Sequence, residues 1–339
     1  MTYNPITALI LFFAFLVLLY VVFRPVKGWF WMLKKNFNSN EKVIIEDILK
    51  QLYHFENSGN KVDMKTLVQV LDFNNNRIVE AIKKMTINDL IYFESDVLKL
   101  TETGREYALR IVRVHRLWER YLADRTGFSK SEWHDRAELM EHQLSHDETE
   151  KLAAHLGNPK FDPHGDPIPT RTGKMAKVNG VELPLLAVNT IGRITHIEDE
   201  PDVIYKQILA ENIHIGSFIR VTENNATRIV FESEGEEFKL APIVAANLTV
   251  SPIEKEVVLE DNIARLSSLK EDESAKIIGI SKESRGESRR RLLDLGFVKG
   301  ADIKIDLLNP LGEPHAYLIK GTSIALRKNQ ASKILIKKV

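Results

Sequence analysis

The stretch Leu90-Ile91-Tyr92-Phe93-Glu94-Ser95-Asp96-Val97-Leu98-Lys99-Leu100 decides how the first part of the chain folds. Two short runs of aliphatic and aromatic residues flank the polar turn Glu94-Ser95-Asp96 and read as a β-hairpin. Upstream, Val43, Ile44, Ile48, Leu52 and Phe55 recur at helical spacing from about Glu41 until Asn57-Ser58-Gly59-Asn60 stops the pattern. Ser39 or Asn40 stands where a cap for that helix is needed. Asp63 caps a short helix holding Leu67 and Val70-Leu71, and the turn Asn74-Asn75-Asn76 leads into a third whose buried face carries Ile78, Val79, Ile82 and Met85. Helices followed by a hairpin in this order make a winged helix-turn-helix over residues 36–101.

Toward the C-terminus, Thr101 opens the longest helical pattern, about 102–125. A second helix runs from about Lys130 to His142, and a third from Asp147 to about Leu156. Pro159, Pro163, Gly165, Pro167 and Pro169 then break the chain into a linker that lasts to about Lys177. Beyond it, short β-branched runs repeat at a constant offset. Ile208-Leu209, Ile213-His214-Ile215-Gly216 and Ile219-Arg220-Val221 correspond to Leu292-Leu293, Phe297-Val298-Lys299-Gly300 and Ile303-Lys304-Ile305. After a two-residue slip, Gly235 and Leu240 correspond to Gly321 and Leu326. Two similar small β-barrels follow, about 183–251 and 266–339, within segments 178–255 and 266–339.

Toward the N-terminus, Ile6 to Phe23 is apolar apart from Thr7 and Tyr20, close to the ~20 residues a membrane-spanning helix needs. Arg24, Lys27, Lys34 and Lys35 follow it, and Tyr20, Trp29, Phe30 and Trp31 suit an interfacial belt. A cleaved signal peptide is disfavoured, because no basic region precedes the run and no small-residue cleavage site follows it. Residues 1–35 are therefore expected to form a single-pass anchor in the inner (cytoplasmic) membrane, with the body in the cytoplasm.

The 339 residues exceed one ordinary domain, and 47 basic and 47 acidic side chains cancel, so net charge singles out no partner. The chain has no cysteine, which excludes disulfides, iron–sulfur clusters and thiolate metal sites. Any metal must be held by His, Asp or Glu.

Such groups concentrate after the hairpin. His115 and Glu119 share one face of the first long helix, while His134, Glu138, Glu141 and His142 stand three or four residues apart on the second. Imidazole with carboxylate and no thiol suits Mn²⁺, Fe²⁺, Co²⁺ or Zn²⁺. The spacing alone leaves open a solvated face with ordinary ion pairs. No further catalytic motif appears, so an enzyme is not expected.

The segment from His115 to Pro169 contains Val114-His115-Arg116-Leu117-Trp118-Glu119-Arg120, His134-Asp135-Arg136-Ala137-Glu138-Leu139-Met140-Glu141-His142 and Gly165-Asp166-Pro167-Ile168-Pro169. It resembles the metal-binding and dimerisation domain of the diphtheria toxin repressor family, here over 102–170. The resemblance implies one metal site at His115, Glu119 and His134, and a second, activating one at Asp47, Glu138, Glu141 and His142. Glu138 matches the manganese-sensing branch, whereas iron-sensing members place a thiol there. Lys50 replaces a further carboxylate of that branch, so Fe²⁺ and Mn²⁺ both stay open. The first barrel is similar to the family's own SH3-like domain, which lends carboxyl or amide ligands to the first site. Glu198, Asp199, Glu200 and Asp202 lie in that segment, with Glu200 favoured.

The resemblance also implies a homodimer on a palindromic DNA operator, repressing metal-uptake genes. Asn74, Asn75, Asn76, Arg77, Lys83 and Lys84 would face DNA, although Val79 and Glu80 stand where family members often carry polar, DNA-contacting residues. Residues 266–339 resemble a ferrous iron transport protein A domain through Ser268-Leu269-Lys270, Ala275-Lys276-Ile277-Ile278-Gly279-Ile280, Arg289-Arg290-Arg291-Leu292-Leu293-Asp294-Leu295-Gly296-Phe297, Pro310-Leu311-Gly312-Glu313-Pro314 and Ala325-Leu326-Arg327. The alternative is a membrane-bound, metal-sensing accessory of a ferrous iron transporter that does not read DNA. The fold expected is α+β and multidomain: a transmembrane helix, a winged helix-turn-helix, a helical metal-binding domain and two SH3-like barrels.

Overall fold

The computed structural model describes residues 5–23, 41–253, 263–310 and 312–339. The cap expected at Ser39 or Asn40, the basic and tryptophan-rich stretch 24–35, and Leu311 lie outside the described residues. The chain forms two compact units, Met1–Ile111 and Val112–Val339.

In the first unit, helix α1 spans Pro5–Phe23. Among the described residues, no helix is long and apolar enough to cross a membrane, which corrects the expectation of a single-pass anchor and an inner-membrane location. The 19 residues of α1 rise about 1.5 Å each, so the helix reaches about 28 Å against ~30 Å of hydrocarbon. The basic and aromatic residues on which the orientation rested are not among those described.

Helices α2 (Glu41–Asn57), α3 (Met64–Val70) and α4 (Asn75–Ile87) precede strands β1 (Ile91–Glu94) and β2 (Val97–Leu100). Ile44, Ile48, Leu49 and Leu52 are buried on α2, Leu67 on α3, and Ile78, Ala81, Ile82 and Met85 on α4. Val79, expected on the buried face, is 50% exposed, because the 3.6-residue period gives the inward positions to its neighbours. The hairpin pairs Glu94 with Val97. Its two loop residues, Ser95 (φ 49°) and Asp96 (φ 67°), both take the left-handed conformation that a two-residue type I′ turn demands. Helix α5 (Glu102–Arg125) starts in this unit and continues into the second.

In the second unit, α5 is followed by α6 (Trp133–Glu141) and α7 (His146–His155). Ser145 and Glu148 close a capping box at the start of α7. The proline-rich stretch read as a linker is a packed tongue at its start. Asp162, Pro163, His164, Gly165, Ile168 and Pro169 are buried, Phe161 bridges Pro167, and Arg113 and Arg116 of α5 donate to the carbonyls of Pro169 (2.6 Å) and Pro167 (2.7 Å). The Asp162 carboxylate accepts the backbone N–H groups of His164 and Asp166 at 2.8 and 2.9 Å.

Two six-stranded antiparallel sheets follow. The first contains β3 (Val181–Glu182), β4 (Ile191–Ile197), β5 (Phe218–Asn224), β6 (Ile229–Ser233), β7 (Glu236–Leu240) and β8 (Leu248–Pro252), with α8 (Asp202–Ala210) after β4 and α9 (Pro242–Ala245) before β8. Its strand order is β3-β8-β4-β5-β6-β7. The second contains β9 (Ile263–Arg265), β10 (Ser274–Ile280), β11 (Asp302–Leu307), β12 (His315–Ile319), β13 (Thr322–Leu326) and β14 (Ile334–Lys338), with α10 (Gly286–Asp294) and α11 (Lys328–Ala331) inserted alike. Read in chain order, its arrangement β9-β14-β10-β11-β12-β13 is the same. The repeat extends to the register shifts, at Ile194/His196 and Val221/Glu223 in one sheet and Ile277/Gly279 and Ile305/Leu307 in the other. Each sheet encloses its own apolar core, around Phe231 and Phe297 respectively.

Candidate metal centre

One turn of α5 carries His115 and Glu119 side by side, as i,i+4 spacing requires. Glu119 is 2% exposed and His115 6%. A lone carboxylate at that depth is costly unless charge or hydrogen bonds compensate it. Here imidazoles do so: Glu119 Oε1 lies 3.2 Å from His115 Nε2, 3.6 Å from His134 Nδ1 and 3.7 Å from His164 Nε2. Burial pushes the Glu119 carboxyl up, but His115, His134 and His164 overrule it and hold the group well below the usual carboxylate range. His134, beside the Glu119 and Glu138 carboxylates, is pushed up to about 10.

The ring orientations are fixed from behind. His115 Nδ1 lies 2.5 Å from Glu141 Oε2, which leaves Nε2 aimed at Glu119. Tyr205 Oη lies 3.1 Å from His164 Nδ1, again leaving Nε2 toward Glu119. Carboxylate or hydroxyl partners behind a ligating imidazole are the usual means of fixing its tautomer. Glu119 Oε1 and His164 Nε2 are both buried and make no hydrogen bond. Two orphaned polar atoms facing each other in a cluster of imidazole nitrogens and carboxylate oxygens fit a divalent cation. Ligand atoms of His115, Glu119 and His134 lie within 4.8 Å of one another, as do those of Glu119, His164 and Asp199.

The sequence-derived candidates thus separate. His115, Glu119 and His134 converge, and Glu141 is buried between His115 and His142, whose Nε2 is 3.6 Å from Glu141 Oε1. Glu138 is 53% exposed on its side chain and faces His134 at 3.5 Å. Asp47 is half-buried on α2 of the first unit. Glu200 is exposed, and the carboxylate that reaches Glu119 and His164 comes from Asp199. His164 was not anticipated. Its signal lay in Pro163-His164-Gly165-Asp166, where the proline and glycine spacing reads as punctuation.

A second polar layer supports the tongue. His196 of β4 lies 3.6 Å from Asp166, and Arg116 lies 3.3 Å from Asp166 and 3.9 Å from Asp162. Burial raises Asp166, yet His196 and Arg116 bring it down to about 2. Asp162, fully enclosed and beside Asp166 and Glu119, is held well above the usual range.

Residues 101–170 match the family described as iron dependent repressor, metal binding and dimerisation domain, and residues 264–338 match the FeoA domain. The chain carries an iron-dependent repressor domain and a FeoA domain. It is 34% identical over 125 residues to the iron-dependent repressor IdeR of Mycobacterium bovis, covering 37% of this chain and 54% of that protein. To the diphtheria toxin repressor of Corynebacterium glutamicum it is 26% identical over 222 residues, covering 62% of this chain and 96% of that one. A "probable metal transport system membrane protein" of Chlamydia trachomatis is 31% identical over 184 residues, covering 50% of this chain but 39% of that protein. The chain therefore spans about half or less of the chlamydial and mycobacterial proteins. Among solved structures, a manganese-dependent transcriptional repressor in complex with manganese superposes with a TM-score of 0.55 at 29% identity, over 61% of this chain and 99% of that one. Helices α5 and α6 and the tongue all fall within the matched residues 101–170.

Proposed function

We propose that this chain is a metal-dependent, DNA-binding transcriptional regulator that answers to Fe²⁺ or Mn²⁺ and represses metal-uptake genes as a homodimer on a palindromic operator. The observation that carries the reading is the buried Glu119 carboxylate, ringed by imidazoles and with an oxygen lacking any hydrogen bond, inside the repressor domain. Glu119 is assigned as the pivot of one ion, with donors drawn from His115, His134, His164 and Asp199. Glu138, Glu141 and His142 are assigned to a second. A bound cation would engage Glu119 Oε1 and His164 Nε2, which no hydrogen bond uses. The ion favours the ordered arrangement of its ligands over looser ones, which is a population shift.

The winged helix-turn-helix reading of α2–α4 and the hairpin supplies the DNA-facing surface. Asn75 and Asn76 are exposed at the start of α4, where recognition helices meet base edges. The Asn74 side chain accepts from Asn76 N and caps the helix, so its oxygen is already engaged. Lys83 is exposed, and Lys84 pairs with Glu41 at 2.5 Å. The test is retention of genomic DNA fragments by the full chain with Mn²⁺ or Fe²⁺ and then with chelator. Retention that requires metal and falls steeply with salt is expected; equal retention in both conditions overturns the reading.

A second reading, a metal-sensing accessory of ferrous iron transport that does not read DNA, draws support from the FeoA domain and from Glu80. That carboxylate is exposed on the outward face of α4 and would repel phosphate. Metal uptake by the chain without DNA retention favours it.

A further inference from the structure

The FeoA domain is seated on the metal-bearing part of the chain by contacts that no ligand assignment uses. Glu234 at the β6–β7 turn is one anchor: Ser281 Oγ donates to it at 2.6 Å, the Lys282 backbone N–H at 3.1 Å, and Arg265 pairs with it at 3.5 Å. Arg289 of α10 donates to the carbonyls of Ile280 and Ser281 at 3.1 and 3.3 Å, which fixes the loop between β10 and α10.

That loop ends against the helical domain. A Cβ placed on Gly286 would lie 3.1 Å from Thr126 O, 3.2 Å from Ala123 O and 3.4 Å from Asp124 O. The N-terminal end of α10 therefore meets carbonyls at the C-terminal end of α5, an opposition of partial charges that favours contact. Gly286 has φ +52°, so glycine suits the site both for conformation and for the close approach. Beside it, Arg285 Nη1 donates to Pro163 O at 3.4 Å. This carbonyl belongs to the peptide bond that leads into His164, and Arg285 lines the same cavity as His164, Trp133 and Tyr205.

We propose that Arg285 and Gly286 are positioning residues for the metal centre. By holding the tongue from outside while α10 rests on the end of α5, they set where His164 stands relative to Glu119. Cation binding and seating of the FeoA domain are then coupled, and the coupling is reciprocal. The proposal rests on the metal reading given under Proposed function.

The test is Mn²⁺ calorimetry on the full chain, comparing wild type with Arg285→Ala, Arg285→Gln and Gly286→Ala, with circular dichroism as the folding control. Loss of one such hydrogen bond or of its support predicts about fivefold to tenfold weaker Mn²⁺ binding for Arg285→Ala and Gly286→Ala. Arg285→Gln keeps a donor without the charge and retains most of the affinity. Reciprocally, Mn²⁺ slows amide exchange of residues 281–290 in the wild type, a measurement that needs no variant. Unchanged affinity in both weakened variants, tighter binding in Arg285→Ala, or unchanged exchange overturns the proposal while wild-type Mn²⁺ binding stands. A wild type that takes up no Mn²⁺ removes the metal reading itself, and this proposal with it.

Discussion

Gly165→Ala tests whether the tongue, and with it His164, is held by direct backbone packing. A Cβ at Gly165 would stand 2.2 Å from Thr195 O and 2.7 Å from His196 Cα, both on β4. These are backbone atoms, so no side chain can swing aside. The tongue would have to retreat by roughly 1 Å to restore an ordinary contact, and the 2.9 Å hydrogen bond from Ile197 N to His164 O would be lost or stretched. That bond is worth about 1 kcal/mol, and forcing a non-glycine residue to φ +96° costs about 1–3 kcal/mol. The expected destabilisation is therefore about 2–4 kcal/mol. Gly157→Ala is the control: Gly157 also has positive φ, +76°, but nothing lies within 4 Å of its Cβ position, so only about 1 kcal/mol is expected. Urea unfolding followed by tryptophan fluorescence suits the purpose, because Trp133 stacks edge-on to His164 at 5.9 Å. Mn²⁺ calorimetry on the same samples reads the displacement of His164 as weaker binding. If Gly165→Ala unfolds with Gly157→Ala and binds Mn²⁺ like the wild type, the tongue is not held as argued.

Glu119→Gln keeps the shape of the pivotal side chain and removes its charge; Mn²⁺ affinity measured by calorimetry should fall by about 100-fold, the upper range for perturbing a ligand environment. In the same variant without metal, a proton-detected titration should find the His134 imidazole well below its wild-type value of about 10, since Glu119 is the largest cause of that shift. Lys130, enclosed and facing Arg285, falls to about 7 from 10.5 chiefly through burial. Its folded value is depressed, so the protonated ammonium weakens the fold at and below pH 7, and the penalty fades as pH rises toward 10.5. Lys130→Met should therefore stabilise the chain most at pH 7 and progressively less up to pH 10; urea midpoints that shift equally at every pH would contradict this.

The residues legible in the sequence were those whose partners lie within one element. His115 and Glu119 are one helical turn apart, and the i,i+4 rule alone places them on one face. The β1–β2 turn, the limits of α5 and the repeat behind the two sheets follow from local periodicity and turn chemistry in the same way. The N-terminal run shows where such reading fails. Its apolar composition suggested a membrane span, yet among the described residues no helix has the length and apolarity to cross one.

Tertiary structure alone decided what completes the centre. His164 stands 45 residues beyond Glu119 in a stretch whose prolines read as linker, and it comes within 3.7 Å of Glu119 only because α5, β4 and α8 enclose that stretch. Tyr205 of α8 then turns its ring. Asp199 rather than Glu200 reaches the cluster, since packing half-buries Asp199 and leaves Glu200 exposed. The sequence determined which chemistries were available, because composition limits the donors to imidazole and carboxylate. Which of those groups meet was set by burial, where the enclosed Glu119 carboxylate is costly without the imidazoles around it.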